Sequence, residues 1–594
     1  MGQYQPPLRD MQFVLHELLD VEKSLAQMPA HAETSRELID QILEEGGKFC
    51  AEVLFPLNQI GDREGCRFDQ GIVTAPGGFR KAYAQYCAAG WPALTCDPRY
   101  GGQGLPLVLH NALYEMLNSA NQSWTMYPGL SHGAYECIHA HGSDELKQTY
   151  LPKLVSGEWT GTMCLTEPHA GTDLGILRTR AEPQAEGFSL ISGTKIFISS
   201  GEHDMAENIV HLVLARLPDA PSGTRGISLF AVPKFLPQGD GTPGARNGVA
   251  CGSIEHKMGI HGNSTCVMNF DAARGWLLGQ PHKGLQAMFV MMNAARLGVG
   301  MQGLGLTEVA YQNAAAYARE RLQSRALTGP ASPDQVADPI IVHPDVRRML
   351  LTQRAYAEGG RAFAYWLALE LDKSLSHPDA EEREDSESLV ALLVPIIKSF
   401  LTDNAFECTN LGMQVLGGHG YITEWGMEQY VRDARICQVY EGTNTIQSLD
   451  LLARKILADG GAKLKRFGAQ VDAFLRAESA NPAMTEFVSP LADLAERMQK
   501  LTMEIALKAM KNPDEVGAAA VPYLKLAGHL VFAYFWARMA KVALAKQDSG
   551  DSFYQAKLLT ARFYYARLLP ETATLIRVVQ AGAESLMGMD AELF

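Results

Sequence analysis

One stretch of the sequence decides its fold class: FSLISGTKIFIS, residues 188–199. Apolar and polar residues alternate along it, as they do in a β-strand that buries one face. We expect a turn at Ser192-Gly193 inside this stretch. Further β-rich runs follow at residues 208–215, 226–232 and 266–270. Together these runs predict a compact β domain over residues 161–280.

The sequence on both sides of the β domain has the periodicity of helices. Residues 1–160 read mainly as helices; the apolar positions of LIDQIL (38–43) recur at helical spacing, and Ser143 has the position of a helix N-cap. From Gly284 the helical period returns, and after Leu457 it predicts three or four helices packed as a bundle. The fold class is therefore α+β, mainly α.

Two irregular stretches interrupt the second helical part. Residues 328–344 contain four prolines, and residues 376–388 contain six acidic residues. We interpret the acidic run as a solvated surface loop.

Composition excludes several classes of protein. The chain has 594 residues and a net charge of −14, which is not typical of proteins that bind nucleic acid or anionic membranes. Its longest apolar run, residues 389–397 with Pro395 inside it, is too short to span a bilayer. No signal peptide is visible, and the ten cysteines are scattered without a CxxC pair. We expect a cytoplasmic protein with reduced thiols and no transmembrane segment.

Two short patterns resemble ligand-binding motifs, but we predict no binding site at either. Residues 298–303 fit the dinucleotide pattern G-x-G-x-x-G, but they follow a helical stretch where that motif requires a strand. The glycines are better explained by close helix packing, which disfavours a nicotinamide cofactor. The histidines, such as His139 and His141, lack metal-ligand spacing, so we predict no metal site.

Three other segments do indicate chemistry. Residues 165–175 bring glycines, hydroxyls and a proline together in one loop, which suits close backbone approach to a ligand. Phe197 and Ser199 are two apart in the alternating strand, so one side chain stacks on a ring while the other hydrogen-bonds its edge. Glu441 lies between Tyr440 and Gly442 at a break between helices. Its pKa would rise toward neutrality in an apolar pocket, as a general base requires.

Four segments in this order resemble the acyl-CoA dehydrogenase family: residues 165–173, 195–201, 414–421 and 432–447. The resemblance covers about residues 40–456. The long N-terminus and the extra C-terminal helices are similar to the long bacterial branch often labelled 3-methylmercaptopropionyl-CoA dehydrogenase-like.

The resemblance implies an architecture and a reaction. It implies an N-terminal helical domain (1–160), the central β domain (161–280), a C-terminal four-helix domain (281–458) and an additional helical domain (459–594). FAD would bind in a crevice between the domains. Glu441 would remove the α-proton of a fatty acyl-CoA, medium to long chain favoured, and the β-hydrogen would leave as hydride to flavin N5. The thioester oxygen would sit on the Glu441 N–H and a flavin ribityl hydroxyl.

The resemblance also implies the surroundings of this reaction. The product would be trans-2-enoyl-CoA in fatty acid β-oxidation, and an electron-transfer flavoprotein would take the electrons. The protein would be at least a homodimer, with part of the FAD site facing the partner subunit. The additional helices would cover the adenine end of the cofactor or the CoA pocket, or replace a second dimer pair.

Site residues carry over by position. Glu441 would be catalytic. The residues expected at the acyl-CoA are Thr172, Arg296, Tyr440 and Gly442. The residues expected at FAD are Leu165, Thr166, Phe197, Ser199, Arg321, Gln323, Gln414, Gly417, Gly418, Thr443 and Thr445.

Some positions depart from the family pattern. Phe197 replaces a frequent Trp and Ser199 a Thr, and both retain the chemistry. Ser324 replaces a usual aromatic residue, and Thr445 replaces a frequent Gln. In the isovaleryl-type branch the base lies on the long helix, where this chain has Ala295, and this argues against that branch.

Three alternatives stay open. An acyl-CoA oxidase shares the fold and the Glu, and it would form peroxide in air. A dehydrogenase dedicated to a methylthio-propionyl thioester would differ only in its substrate. A catalytically silent protein that binds FAD or acyl-CoA belongs to another class, against which the retained Glu441 argues.

Overall fold

The computed structural model describes residues 2–594. Internal contacts divide the chain into two compact units. The first unit contains the chain up to Gly47, Pro106–Ser119 and Val299–Phe594. The second unit contains Lys48–Leu105 and Ala120–Gly298.

Helices make up most of the chain, which confirms the predicted α+β, mainly α class. Those before the β region are Leu8–Gln12, Val21–Leu25, Arg36–Phe49, Phe55–Glu64, Phe79–Ala88, Leu107–His141 and Asp144–Ser156. Those of the central helical part are Gly284–Glu320, Pro344–Ser376, Ala380–Val415, Met427–Ile436 and Asn444–Leu449. The remainder are Ala462–Glu478, Thr485–Ala509, Asp514–Ala545, Ser552–Phe563, Glu571–Gln580 and Glu584–Met587. Four π-helical segments continue neighbouring helices at Phe13–Leu18, Cys50–Leu54, Asp450–Leu457 and Tyr564–Leu568.

A seven-stranded mixed sheet forms the β part of the second unit. The strands along its path are, in order, Val249–Ile254, Thr265–Leu278, Ser189–Ser199, Arg180–Pro183, Asn208–Arg216 and Trp159–Cys164. Strand Ile227–Pro233 pairs with both Thr265–Leu278 and Asn208–Arg216. Two small hairpins complete the strands, Arg67–Asp69 with Ile72–Thr74 and Phe235–Pro237 with Pro243–Arg246. Strands Asn208–Arg216 and Ile227–Pro233 are buried almost throughout, so both faces of the sheet are covered there.

Local signals in the sequence were confirmed where they concern helix ends and helix packing. The Ser143 hydroxyl accepts a hydrogen bond from Leu146 N and caps helix Asp144–Ser156. The G-x-G-x-x-G pattern lies inside helix Gly284–Glu320. A Cβ at Gly303 would lie 3.0 Å from the Leu401 carbonyl oxygen, so this glycine permits close helix packing as expected.

Two predictions of irregular structure were wrong. The segment expected to turn at Ser192-Gly193 is continuous strand. Gly193 (φ +155°) lies beside Thr179, and the register of the pairing with strand Thr265–Leu278 shifts directly after the Gly193 partner, Phe270. The acidic run is solvated as expected, since its six carboxylates are exposed, but it is not a loop. It forms the first turns of helix Ala380–Val415, because carboxylates are favoured at the positive end of a helix dipole. Asp379 caps that helix by accepting from Glu381 N.

The helices after residue 458 outnumber the three or four that we predicted. Helix Glu571–Gln580 adds a fifth helix of ten residues or more, with Leu575 and Val579 buried one turn apart. Helix Asp514–Ala545 is buried along most of its length and packs against Pro344–Ser376 and Ala380–Val415. Gly528 lies against the Phe400 ring, where a Cβ would come within 2.2 Å. The C-terminal helices therefore share one core with the central helical part of the first unit.

Buried charges join distant parts of the first unit. The Arg361 guanidinium contacts Asp10, Glu115 (2.5 Å) and Glu308 (2.8 Å), and the Lys557 ammonium contacts Asp10 and Glu358 (2.6 Å). We call these six residues the charge cluster. Burial alone would raise the pKa of Asp10, but Lys557 and Arg361 hold it below its ordinary value.

Helices Ala380–Val415 and Asp514–Ala545 are long and apolar enough to cross a membrane by length and composition. Their most apolar windows are 72% and 67% buried within the protein, and core helices commonly pass the same test. All ten cysteines are free thiols. Over residues 2–594 no group of three or more His, Cys, Asp or Glu side chains is arranged to hold a metal ion.

Candidate active site

Glu441 lies on a short loop between helices Met427–Ile436 and Asn444–Leu449. We call residues 437–443 the Glu441 loop. Glu441 itself has φ +56° and Gly442 has φ +79°, so two successive residues adopt the left-handed conformation. For a residue with a Cβ this conformation costs on the order of 1–3 kcal/mol and persists only where the surroundings impose it. The half-buried Glu441 is therefore held in place by its neighbours.

Polar side chains fix the backbone on the C-terminal side of Glu441. Gln447 Nε2 donates to the Glu441 carbonyl oxygen at 3.0 Å. Lys398 Nζ donates to the Gly442 carbonyl oxygen at 2.9 Å and to Asn444 Oδ1 at 2.7 Å. The Thr443 hydroxyl accepts from Ile446 N and caps the following helix. These contacts fix the conformation of the peptide units that follow the carboxylate-bearing residue.

A second set of contacts holds the N-terminal side of Glu441. The Tyr440 hydroxyl donates to Gln302 Oε1, and the Cys437 thiol lies 3.6 Å from the same oxygen. Burial raises the pKa of Tyr114 to about 12, although a hydrogen bond with Gln302 opposes that shift. The Gln302 amide thus links Tyr114 to the residue that precedes Glu441.

The second unit contains the other cluster of expected site residues. Lys195 is fully buried, and its ammonium donates to the Leu165 carbonyl oxygen and to Glu167 Oε1, both at 2.9 Å. Ile196 N donates to the Thr166 carbonyl oxygen at 2.9 Å. Burial would raise the pKa of Glu167, but Lys195 and Thr179 lower it to about 2. The structure therefore brings Leu165 and Thr166 next to the strand that carries Phe197.

That strand is irregular where Phe197 lies. Ile198 pairs with Cys266 and Lys195 with Met268, so the register shifts between these pairs. Phe197 occupies the resulting bulge with φ +58° and is 59% exposed. A bulge re-aims the side chains beside it, so the regular alternation on which we placed Phe197 and Ser199 on one face does not hold here.

The other expected residues lie at three places. Gln414 is the penultimate residue of helix Ala380–Val415. Gly417 and Gly418 follow it in the short helix Gly417–Tyr421. Arg321 and Gln323 begin the loop after helix Gly284–Glu320, close to Gly417–Tyr421 because Tyr317 hydrogen-bonds His419 at 2.9 Å. In the second unit, Thr172 is exposed in a loop and Arg296 is buried on helix Gly284–Glu320.

Comparison with protein families gives matches along nearly the whole chain. The matching models are described as Acyl-CoA dehydrogenase, N-terminal domain (residues 36–158), middle domain (162–273) and C-terminal domain (282–457). A fourth model, Acetyl-CoA dehydrogenase C-terminal like, matches residues 467–590.

Whole-chain relatives agree with these models. The 3-methylmercaptopropionyl-CoA dehydrogenase of Ruegeria pomeroyi is 44% identical over 584 residues, which cover 98% of each chain. The chain belongs to the acyl-CoA dehydrogenase family. A butyryl-CoA dehydrogenase of Syntrophomonas wolfei is 36% identical over 100% of this chain and 99% of its own. The crystal structure of a Bacillus anthracis acyl-CoA dehydrogenase complexed with FAD shares the fold, with a TM-score of 0.75 at 22% identity over 94% of this chain and 90% of that one.

This acyl-CoA dehydrogenase is an FAD-dependent oxidoreductase, and its residues fit the cofactor. Phe197 is 59% exposed, so its aromatic ring is accessible to a flavin. At Gly417 and Gly418 no atom lies within 4 Å of where a Cβ would be, so the glycine backbone is open to a diphosphate. Arg321 and Gln323 are exposed, and they would supply a cation and an amide on the segment that Tyr317 joins to these glycines.

Several side chains that contact the expected site residues were missed from the sequence. They are Lys398, Asn444, Gln447 and Gln302 beside Glu441, and the ion pair of Glu167 with Lys195. One signal was available for Lys398, since a lysine in the apolar pattern of a buried helix is seldom placed there without partners. Gln302 gave no signal, because it lies among the small and apolar residues of a helix whose pattern predicts only close packing.

Proposed function

We propose that this dehydrogenase converts a fatty acyl-CoA to trans-2-enoyl-CoA in fatty acid β-oxidation, with Glu441 as the base. Medium to long acyl chains are the favoured substrates. The observation that carries the proposal is the left-handed Glu441-Gly442 pair, whose backbone is fixed on one side by Lys398 and Gln447 and on the other by Tyr440. A strained conformation that many contacts maintain is typical of a catalytic position.

The proposed reaction begins at the Glu441 carboxylate. A Glu441 carboxylate oxygen takes the α-proton, which the adjacent thioester carbonyl makes acidic, and Glu441 becomes the neutral acid. The Glu441 N–H donates to the thioester oxygen and stabilises the negative charge that develops there. When bound, FAD would supply the acceptor for the β-hydrogen, so the Cα–Cβ unit would lose one proton to Glu441 and one hydride to the flavin, which is two protons and two electrons in total. Tyr440 and Gly442 flank the base on the substrate side, and Thr172 and Arg296 contact the thioester ligand.

The cofactor is held by two sets of residues in this proposal. Leu165, Thr166, Phe197 and Ser199 line the flavin, where an aromatic face and hydroxyl groups suit a heteroaromatic ring. Thr443 and Thr445, with Arg321, Gln323, Gln414, Gly417 and Gly418, hold the phosphates, ribose and adenine. Part of this second set faces the FAD of a partner subunit, so the proposal includes a homodimer or larger homo-oligomer in the cytoplasm. An electron-transfer flavoprotein takes the electrons.

A second substrate is favoured by one finding. The 44% identical relative is named a 3-methylmercaptopropionyl-CoA dehydrogenase and matches over 98% of this chain. A methylthio-propionyl thioester would undergo the same α,β-dehydrogenation at Glu441, and the two proposals differ only in the group beyond the β-carbon.

The test is anaerobic mixing of the FAD-loaded protein with octanoyl-CoA, palmitoyl-CoA or the methylthio-propionyl thioester, followed by visible flavin absorbance. We expect bleaching with at least one thioester, and the order of the three bleaching rates assigns the substrate.

The base is tested with a variant. Glu441→Gln should retain FAD and bind the thioester yet bleach at least about 1,000-fold more slowly, because no other group takes the proton. The matched control Glu407→Gln changes an exposed carboxylate of the same unit and should bleach normally. Substantial bleaching by Glu441→Gln would refute the base.

A further inference from the structure

We propose that Lys398 is a positioning residue, which holds the Glu441 loop in the conformation that presents the carboxylate. This inference rests on the proposed role of Glu441 as the base. Lys398 lies in the middle of helix Ala380–Val415, within the apolar sequence LLVPIIKSF of residues 392–400. The residue is fully buried.

The contacts of Lys398 cross the end of the Glu441 loop. One hydrogen bond reaches the Gly442 carbonyl oxygen (2.9 Å), which belongs to the residue directly after the base. The other reaches Asn444 Oδ1 (2.7 Å), on the first residue of the next helix. A single ammonium thus fixes both the peptide that follows Glu441 and the start of the helix that follows the loop.

We call the hydrogen bonds of Lys398 with Gly442 and Asn444 the clamp. Asn444 connects the clamp to the start of the Glu441 loop. Its Nδ2 donates to Asp403 Oδ1 at 2.7 Å, and the same oxygen accepts from Gln438 Nε2 at 2.8 Å. The Asn444 N–H also donates to the Gln438 carbonyl oxygen at 3.1 Å. Gln438 precedes Glu441 by three residues, so the clamp joins both sides of the base.

An ammonium is well suited to this task. Hydrogen bonds from a cation to a carbonyl or amide oxygen are stronger than those from a neutral donor, and their strength grows in a buried site. The clamp opposes the tendency of Glu441 to leave the left-handed region, which a residue with a Cβ avoids. If the Gly442 peptide turns, the carboxylate moves with it. A displacement of about 1 Å in a reacting group lowers a rate on the order of 100-fold.

The decisive variant is Lys398→Met, which keeps the length and apolar stem of the side chain and removes the ammonium. We expect unchanged FAD content, KM within about threefold, and a single-turnover bleaching rate lowered about 10- to 100-fold at a temperature well below unfolding. The matched control is Thr409→Val, a fully buried change on the same helix whose hydroxyl bonds only to the Phe406 carbonyl oxygen in its described contacts. That control should bleach at the wild-type rate.

A second variant covers the case in which Lys398→Met does not fold. Asn444→Ala removes the other half of the clamp and should lower the same rate about 10-fold, and the double variant should be no slower than Lys398→Met alone. A merely structural lysine would lower the melting temperature and leave the rate per bound FAD unchanged. That result, or an additive double variant, would overturn the inference. Activity of Glu441→Gln would refute the proposed base itself, so the two failures are distinguishable.

Discussion

Two lysines in the first unit are completely buried, and their surroundings differ. Lys557 meets the carboxylates of Asp10 and Glu358, which lie on elements far apart in sequence. Lys398 donates to a peptide carbonyl and an amide oxygen beside Glu441. In the charge cluster the lysine compensates buried charge and joins elements. At the Glu441 loop it orients a peptide. The same side chain therefore serves stability in one region and the geometry of a site in the other.

We expect the largest loss in the free energy of unfolding when Lys557 is replaced. Lys557→Met should lower the free energy of unfolding by about 3–5 kcal/mol, because removing one partner of a buried pair leaves carboxylates uncompensated. Thermal and urea unfolding measure the loss, and turnover per folded, FAD-loaded enzyme should stay at the wild-type value. Lys541→Met is the control, since its ion pair with Glu478 is half exposed, with 52% of the lysine side chain accessible, and should cost at most about 1 kcal/mol. Equal losses in both variants would contradict the contrast.

A glycine variant at the loop tests the other half of the comparison. Gly442→Ala introduces a Cβ at φ +79° and 2.8 Å from Gln447 Nε2, so the loop must shift. We expect the free energy of unfolding to fall by about 1–2 kcal/mol and the bleaching rate to fall about 10-fold. Gly468→Ala, in a helix with open space at the Cβ position, should match the wild type or be slightly more stable. A Gly442→Ala enzyme with normal turnover would show that the loop tolerates other conformations.

The smallest expected effect concerns a partly buried carboxyl whose neighbour is an imidazole. Burial raises the pKa of Glu136 to about 7 and lowers the pKa of His132, 3.6 Å away, to about 4. As the pH rises from 4.5 to 7, the unfolded chain ionises Glu136 before the folded protein does, so the contribution of Glu136 to stability falls. His132 has the opposite trend over the lower part of this range, and the comparison of Glu136→Gln with the wild type isolates the carboxyl. The full shift of the Glu136 pKa corresponds to about 3 kcal/mol, and solvent at the 26% exposed Glu136 side chain reduces it. Glu136→Gln should therefore become more stable than the wild type above pH 7 by about 1 kcal/mol, with no gain near pH 4.5. Exposed Glu145→Gln should show no such trend in melting temperature across the same pH range.

The sequence predicted the features that depend on neighbours along the chain. Helical periodicity, the Ser143 cap and the helix break at Glu441 are local, and the structure has each of them. The family motifs supplied the candidate site residues. The Ser192-Gly193 turn failed because the register of the opposing strand decides whether a glycine bends or bulges a strand. The clamp was missed because Lys398 and its partners are 44 and 46 residues apart, and no local pattern links them.

The charge cluster sets an order of events when the chain is made. Asp10 and Lys557 are separated by 547 residues, so at about 5–20 residues per second roughly half a minute to two minutes pass between their synthesis. Until Lys557 is made, Asp10 and Glu358 each have an arginine partner but lack the lysine that bridges them, and closing the core around them is unfavourable. We therefore expect the first unit to complete its fold only after helix Ser552–Phe563 has left the ribosome, which makes the last helices of the chain the ones that finish its earliest segment.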